Sequence, residues 1–200
     1  MLSAFNFQPE YVKPEDDMHE FYSACFSRSI KYDRATAYFS QLVFVILWEQ
    51  IIDFANKDGK MRLLCSPVQR PLGEIIDNAY QAKSDAELSE EIEQEFSLLL
   101  ASPNLKDAAK ALAGLIVKGI LEIKFVTPKN ANGIFHNKEG MFYDESGNKV
   151  LFRGSMNETF FGLSPTGNFE QIDTYTNWTN NADYDERIEK FEERFERYWE

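Results

Sequence analysis

His136-Asn137-Lys138 sets an imidazole and an ammonium two residues apart, and on a β-strand residues two apart project from the same face. Gly154-Ser155-Met156-Asn157 repeats the spacing with a hydroxyl and an amide, behind a glycine that permits close backbone approach. Asn168 and Glu170 follow downstream. A base or nucleophile, a fixed cation and neutral donors meeting at one point suit phosphoryl chemistry. They supply attack together with donors for the developing negative charge. His-x-Lys alone is weak evidence, since a lone histidine is more often an ordinary surface or core residue. Its combination with Gly-Ser-x-Asn at hairpin distance and a later glutamate carries the weight.

These groups meet only if the chain between them forms a hairpin. Phe135–Tyr143 and Lys149–Phe152 flank Glu145-Ser146-Gly147-Asn148, which predicts two antiparallel strands. Upstream, a strand over Arg34–Ser40, a buried helix over Gln41–Asn56 and a strand over Lys60–Ser66 predict a parallel crossover. A helix is expected over Leu72–Lys83, continuing as an acidic one over 84–100. Asn104 should cap a further helix over Leu105–Lys118, followed by a strand over Ile120–Thr127. A short helix near Glu158–Leu163, a strand within Phe169–Trp178 and an amphipathic helix through Tyr184, Ile188, Phe191, Phe195 and Tyr198 complete the chain. The fold class expected is α/β, a central mixed β-sheet flanked by helices. Residues 1–20 read as a polar surface arm before one domain over 21–200. The last helix runs to Glu200 without a cap, so we expect the chain to be a piece of a longer protein.

Composition narrows the classes. The chain has 200 residues with 17 Phe, 9 Tyr and 3 Trp, enough for a core despite a net charge of −12. No apolar run approaches membrane length and no signal region opens the chain, so a cytoplasmic location is expected. Cys25 and Cys65 read as reduced core thiols. Two histidines and no Cys pair leave no four-ligand zinc site, no metal is assigned, and no cofactor is expected, although carboxylates could hold magnesium. The stretches 1–20, 84–97 and 181–200 carry −4, −6 and −4, which leaves +2 for the rest of the chain. A mildly basic centre keeps nucleic acid open as a partner. No Gly-x-x-x-x-Gly-Lys-Ser/Thr loop occurs, so the chain has no nucleotide-hydrolysing motor of its own.

The motif residues resemble the phospholipase D superfamily, whose signature is His-x-Lys, a nearby Asp, a Gly-Ser-(x)-x-Asn and a later Glu. The run FHNKEGMFYDESGNKVLFRGSMNETFFG, with YDRATAYFS and GKMRLLCSP upstream, is similar to the phospholipase D-like domains at the amino ends of bacterial restriction- and defence-associated helicases. The resemblance covers roughly residues 20–200. It implies a metal-independent phosphodiesterase acting on DNA through a phosphohistidine. His136 would attack, Lys138, Ser155 and Asn157 would hold the phosphoryl oxygens, and Glu170 would orient a histidine. A single motif is half a site in that family, which implies a homodimer, and a helicase domain or partner is implied with it. His19 has no lysine partner and reads as a surface residue. The superfamily position of the aspartate falls on Tyr143, one residue before Asp144, so Asp144 and Asn168 are assigned only as residues behind the reacting groups.

Arg34, Arg62, Lys124 and Arg153 read as solvated strand residues, with Arg153 as the candidate DNA contact. Phe160, Phe161 and Phe169 are assigned to the core, with Tyr175 and Trp178 open to core or base stacking. The alternative to an enzyme is a DNA-binding or regulatory module of a helicase that kept the scaffold without the chemistry.

Overall fold

A computed structural model of the chain describes residues 1–67, 72–84, 90, 107–129, 133–164 and 166–200. In chain order the elements are β1 (Glu10–Lys13), α1 (Met18–Phe26), β2 (Lys31–Thr36), α2 (Val43–Ile46), α3 (Trp48–Asn56), β3 (Lys60–Cys65) and α4 (Leu72–Lys83). They continue with α5 (Ala108–Val117), β4 (Leu121–Phe125), β5 (Lys138–Tyr143), β6 (Lys149–Gly154), α6 (Phe160–Leu163), β7 (Glu170–Thr176) and α7 (Ala182–Trp199). Among the described residues the strands form one sheet in the order β1-β7-β6-β5-β2-β3-β4. Strands β2, β3 and β4 are parallel and the remaining pairs antiparallel. The class is α/β with a mixed central sheet.

Both faces of the sheet are covered, and alternation along the hairpin serves both. Phe142 and Phe152 turn to the face packed by α1, α3 and α5, among Phe21, Tyr22, Phe26 and Phe54. Met141 and Leu151 turn to the opposite face, where α7 lays Ile188, Phe191 and Phe195 over them. Each fully buried ring or aliphatic chain contributes roughly 1.5–3 kcal/mol relative to exposure. The stripe of α7, read from its spacing of four, three and four, is thus consumed by the sheet.

Several boundaries moved. The expected helix over 41–56 is broken at Leu47, whose φ of −98° and ψ of 26° are not helical. β2 begins at Lys31 and ends at Thr36, earlier than its aromatic tail suggested. Asp107, rather than Asn104, caps α5, accepting from the backbone N–H of Ala109 at 3.1 Å and of Lys110 at 3.2 Å; Asn104 lies outside the described residues, as does most of the acidic stretch 84–100. The arm is the larger correction. β1 pairs antiparallel with β7 as the edge strand, and Leu2 and Lys13 are buried. No helix among the described residues is long and apolar enough to cross a membrane.

Register then fixes one functional edge. Thr36 pairs with Lys138, Glu139 with Arg153, and Gly154 with Ile172. The carboxyl ends of β2 and β6 and the amino ends of β5 and β7 therefore meet at one end of the sheet.

Candidate active site

Phe135 is buried, and its carbonyl accepts the Ser66 hydroxyl at 2.8 Å. That anchor leaves His136, the next residue, exposed at the sheet edge. Lys138 Nζ lies 3.0 Å from His136 Nε2 and 3.3 Å from Nδ1. An ammonium can only donate, so in the neutral ring the nitrogen it faces is the one with the lone pair. Burial lowers the Lys138 pKa, the Arg34 guanidinium lowers it further, and Glu170 opposes both, with a net fall below the ordinary lysine value.

Across the hairpin, a Cβ on Gly154 would stand 1.9 Å from the carbonyl oxygen of Gln171. Only glycine lets β6 close on β7 there, and the closure seats Ser155. Its N–H donates to Gln171 O at 3.0 Å, and its Oγ accepts the Gln171 N–H at 3.1 Å and donates to Glu170 Oε2. Asn168 Nδ2 donates to the other carboxylate oxygen, Oε1, at 3.3 Å. Asn157 Oδ1 accepts the Tyr38 N–H at 3.2 Å and the Thr36 hydroxyl at 3.4 Å. With its oxygen so occupied, the amide presents its nitrogen as the donor for a ligand.

His136, Lys138, Ser155, Asn157, Asn168 and Glu170 thus share one end of the sheet. Glu170 bonds Ser155 and Asn168, whereas the resemblance gave it a histidine. Asp144 stands apart from them. It lies at the other end of β5, buried in the hairpin turn, where it accepts the N–H groups of Leu2 (2.7 Å), Ser146 and Asn148 (both 2.9 Å) and the Asn148 side chain (2.8 Å). Tyr143, at the superfamily aspartate position, donates to Asp33 Oδ2 at 3.0 Å. His19 lies on α1, 3.3 Å from the Ser23 hydroxyl.

The expected strand cations separate. Arg34 is buried, not solvated, and paired with Glu158 at 2.8 Å. Arg62 binds Asp33 and Glu196, and Lys124 reaches the Trp199 carbonyl. Arg153 is 45% exposed and lies 3.8 Å from Glu139. Phe161 and Phe169, expected in the core, are 63% and 84% exposed; the side chain of Phe160 lies outside the described residues. Trp178 packs against the main core and Tyr175 against the α7 side.

Two groups escaped the sequence reading. Lys13, assigned to the arm, is buried and donates to the carbonyls of Phe161 (3.1 Å), Gly162 (3.0 Å) and Ser164 (2.7 Å), the segment leading to Asn168 and Glu170. Burial lowers its pKa, against the pull of the Glu170 carboxylate. Arg187 and Arg194 of α7 line, with Arg153, a cleft of about 650 Å³ that opens on His136 and Lys138. Their helical spacing was visible in the sequence, but the acidic total of residues 181–200 hid it.

Solved structures share this architecture. NucT from Helicobacter pylori matches with a TM-score of 0.55 at 14% identity, covering 95% of this chain and 93% of its own. The phospholipase D family member Nuc from Salmonella typhimurium matches with a TM-score of 0.51 at 13% identity, covering 95% and 91%. The fold is phospholipase D-like. No protein-family model matches the sequence, and the curated proteins return no match to it. The His136 hairpin and the Ser155–Glu170 segment lie at one end of this phospholipase D-like sheet.

Proposed function

We propose that the chain is a phosphodiesterase that cleaves DNA without a metal ion, through a covalent phosphohistidine. The observation that carries the reading is the meeting of His136, Lys138, Ser155, Asn157 and Glu170 at one edge of a phospholipase D-like sheet. His136 attacks phosphorus, the P–N bond forms as the P–O bond to the leaving group breaks, and a second histidine protonates the departing oxygen. That histidine then takes a proton from water, which attacks phosphorus and releases His136. Lys138 and the Asn157 amide hold the non-bridging oxygens, and the Ser155 hydroxyl joins them by turning its one hydrogen from Glu170 to the phosphate. Glu170 fixes Ser155, and Asn168 fixes Glu170. Arg153 contacts the flanking DNA.

The second histidine comes from a second copy of the chain. Tyr38, whose N–H meets Asn157, and Phe169, between Asn168 and Glu170, are exposed, and exposed rings at a half-complete site favour a homodimer seated on them. Partnership with a helicase in a prokaryotic restriction or defence system rests on the resemblance over roughly residues 20–200.

The test is plasmid DNA incubated with the purified chain in excess chelator. Nicking that vanishes in His136→Ala, whose exposed side chain can be lost without unfolding, supports the enzyme. Retarded DNA without cleavage supports the binding module, and neither result defeats both. A strictly monomeric mass by light scattering, with activity retained, removes the shared site.

A further inference from the structure

The cleft beside His136 does not end there. A second hollow of about 430 Å³, lined by Arg153, Arg187, Lys190, Arg194, Asp183 and Glu186, shares Arg153, Arg187 and Arg194 with the cleft and extends it along α7. Arg187, Lys190 and Arg194 are spaced three and four apart, and so share one face of the helix. Ile188, Phe191 and Phe195 are fixed into the sheet, which sets the basic face sideways toward β6. In a chain of net charge −12, the cleft sets Lys138, Arg153, Arg187 and Arg194 against Glu139 and Asp173.

The cations are held in place before any ligand arrives. Glu139 is buried and takes Arg194 through both oxygens, at 3.2 and 2.7 Å, with Arg153 at 3.8 Å from the same carboxylate. The two hydrogen bonds order Arg194, Arg153 lies near the same carboxylate, and Lys190 meets Glu186 one turn away, so one anion against two guanidiniums leaves positive charge over in the cleft. Arg187 lies across the Tyr175 ring at 5.0 Å. Ordered guanidiniums lose less entropy on meeting phosphate than free ones do. From Arg187 to Arg194 the helix advances about 10 Å, so one phosphodiester held at His136 cannot satisfy the whole stripe, whereas a polymer of them can.

We propose that Arg153, Arg187, Lys190 and Arg194 form a track for the phosphates that flank the scissile one, so that the substrate is polymeric nucleic acid and not a single diester such as a phospholipid headgroup. The proposal rests on the phosphodiesterase reading and deepens it. Both hollows belong to one track, with α7 as its wall and His136 at its head.

The experiment compares wild type with Arg187→Gln/Lys190→Gln, both exposed residues, and with Lys60→Gln at the far end of β3 as control. Hydrolysis of DNA and of bis(4-nitrophenyl) phosphate, a single diester, is measured, and DNA binding is read by fluorescence anisotropy in the His136→Ala background. The double variant should raise KM for DNA tenfold or more with kcat retained and leave the single diester unchanged. The slope of log affinity against log salt should fall by about 1.5, for two lost phosphate contacts. An unchanged affinity and slope, or equal losses on both substrates, overturns the track while the phosphodiesterase reading stands. A wild type that cleaves neither substrate overturns that reading instead, and the anisotropy arm still decides whether the track binds DNA.

Discussion

Ser155 donates its hydroxyl hydrogen to Glu170 Oε2 while the same oxygen accepts the Gln171 N–H at 3.1 Å. The hydroxyl is thus oriented by the carboxylate and the carboxylate by Asn168. Ser155→Ala removes the hydroxyl whose hydrogen turns from Glu170 to a phosphoryl oxygen when substrate arrives, and should lower kcat by about 10²–10³-fold. Stability should change by no more than about 1.5 kcal/mol, since Glu170 keeps Asn168. Glu170→Gln preserves shape but leaves one acceptor oxygen where the carboxylate has two. Ser155 and Asn168 cannot then both be held, and the variant should lower kcat with KM nearly unchanged. Steady-state kinetics alongside thermal melts separates the two effects.

Lys138 is charged, half-buried and within the field of Arg34, which sets its pKa below the ordinary lysine value. Unfolding restores that value, so between the two pKa values the unfolded chain holds more protons and stability rises with pH. The cost is fully present below the lowered value and vanishes above the ordinary one. Lys138→Met should therefore melt higher than wild type at neutral pH, with the difference closing as pH climbs through the lysine range, while kcat falls by about 10²-fold or more. Wild-type activity should decline on the alkaline side before the ordinary lysine value is reached. A melt that is unchanged at neutral pH removes the buried cation from the account.

The legible parts of this fold were local. The hairpin announced itself through alternation, a four-residue turn and a glycine, but β5 begins at Lys138, not Phe135, and β6 ends at Gly154, so His136, Ser155 and Asn157 reach the site from the segments just beyond the strands and not by strand alternation. The β2–β3 crossover was equally readable from short-range pattern. What escaped depended on distant partners. Glu-Tyr-Val-Lys between two prolines looks like an arm until β7 supplies its ladder. Arg34 looks like a solvated strand residue until Glu158, 124 positions later, supplies a buried counter-ion. The basic stripe of α7 vanished because net charge averages over a helix whose faces differ. Asp144 was misleading because an aspartate near a His-x-Lys suggests chemistry, whereas this one closes a turn.

That turn makes Asp144 a separate test. Burial pushes its carboxyl up, but the hydrogen bonds from the Asn148 side chain and from the N–H groups of Leu2, Asn148 and Ser146 outweigh it and hold the pKa below the usual aspartate value. A carboxylate so depressed contributes stability above the ordinary value, which is lost as pH falls through the lowered one. Asp144→Ala should cost roughly 2–4 kcal/mol by orphaning several donors, and should flatten the acid limb of the stability curve. Activity per folded molecule should stay at wild type, and a large loss of kcat would return Asp144 to the site.

Arg34 and Glu158 pose the converse question, whether a buried pair serves stability alone. Arg34 Nε meets Glu158 Oε2 at 2.8 Å, Tyr22 and Tyr32 donate to the same oxygen at 3.0 and 3.2 Å, and Arg34 Nη2 reaches the Met156 carbonyl. The Glu158 N–H donates to Thr36 Oγ1 at 3.1 Å, the hydroxyl that also reaches Asn157. The pair therefore brackets the residue that presents the Asn157 amide. Arg34→Met or Glu158→Gln alone leaves a charge buried without its partner and should cost about 3–5 kcal/mol. Arg34→Met with Glu158→Leu removes both charges and should cost far less than the sum of the singles. Measured where it is folded, that double variant should still lose kcat on the single-diester substrate by about tenfold, because the 156–158 turn is then held to β2 only through Thr36 and the main chain of residue 158. Full kcat in the double variant would mean that Thr36 and Tyr38 suffice to position Asn157, and that the buried pair acts on stability only.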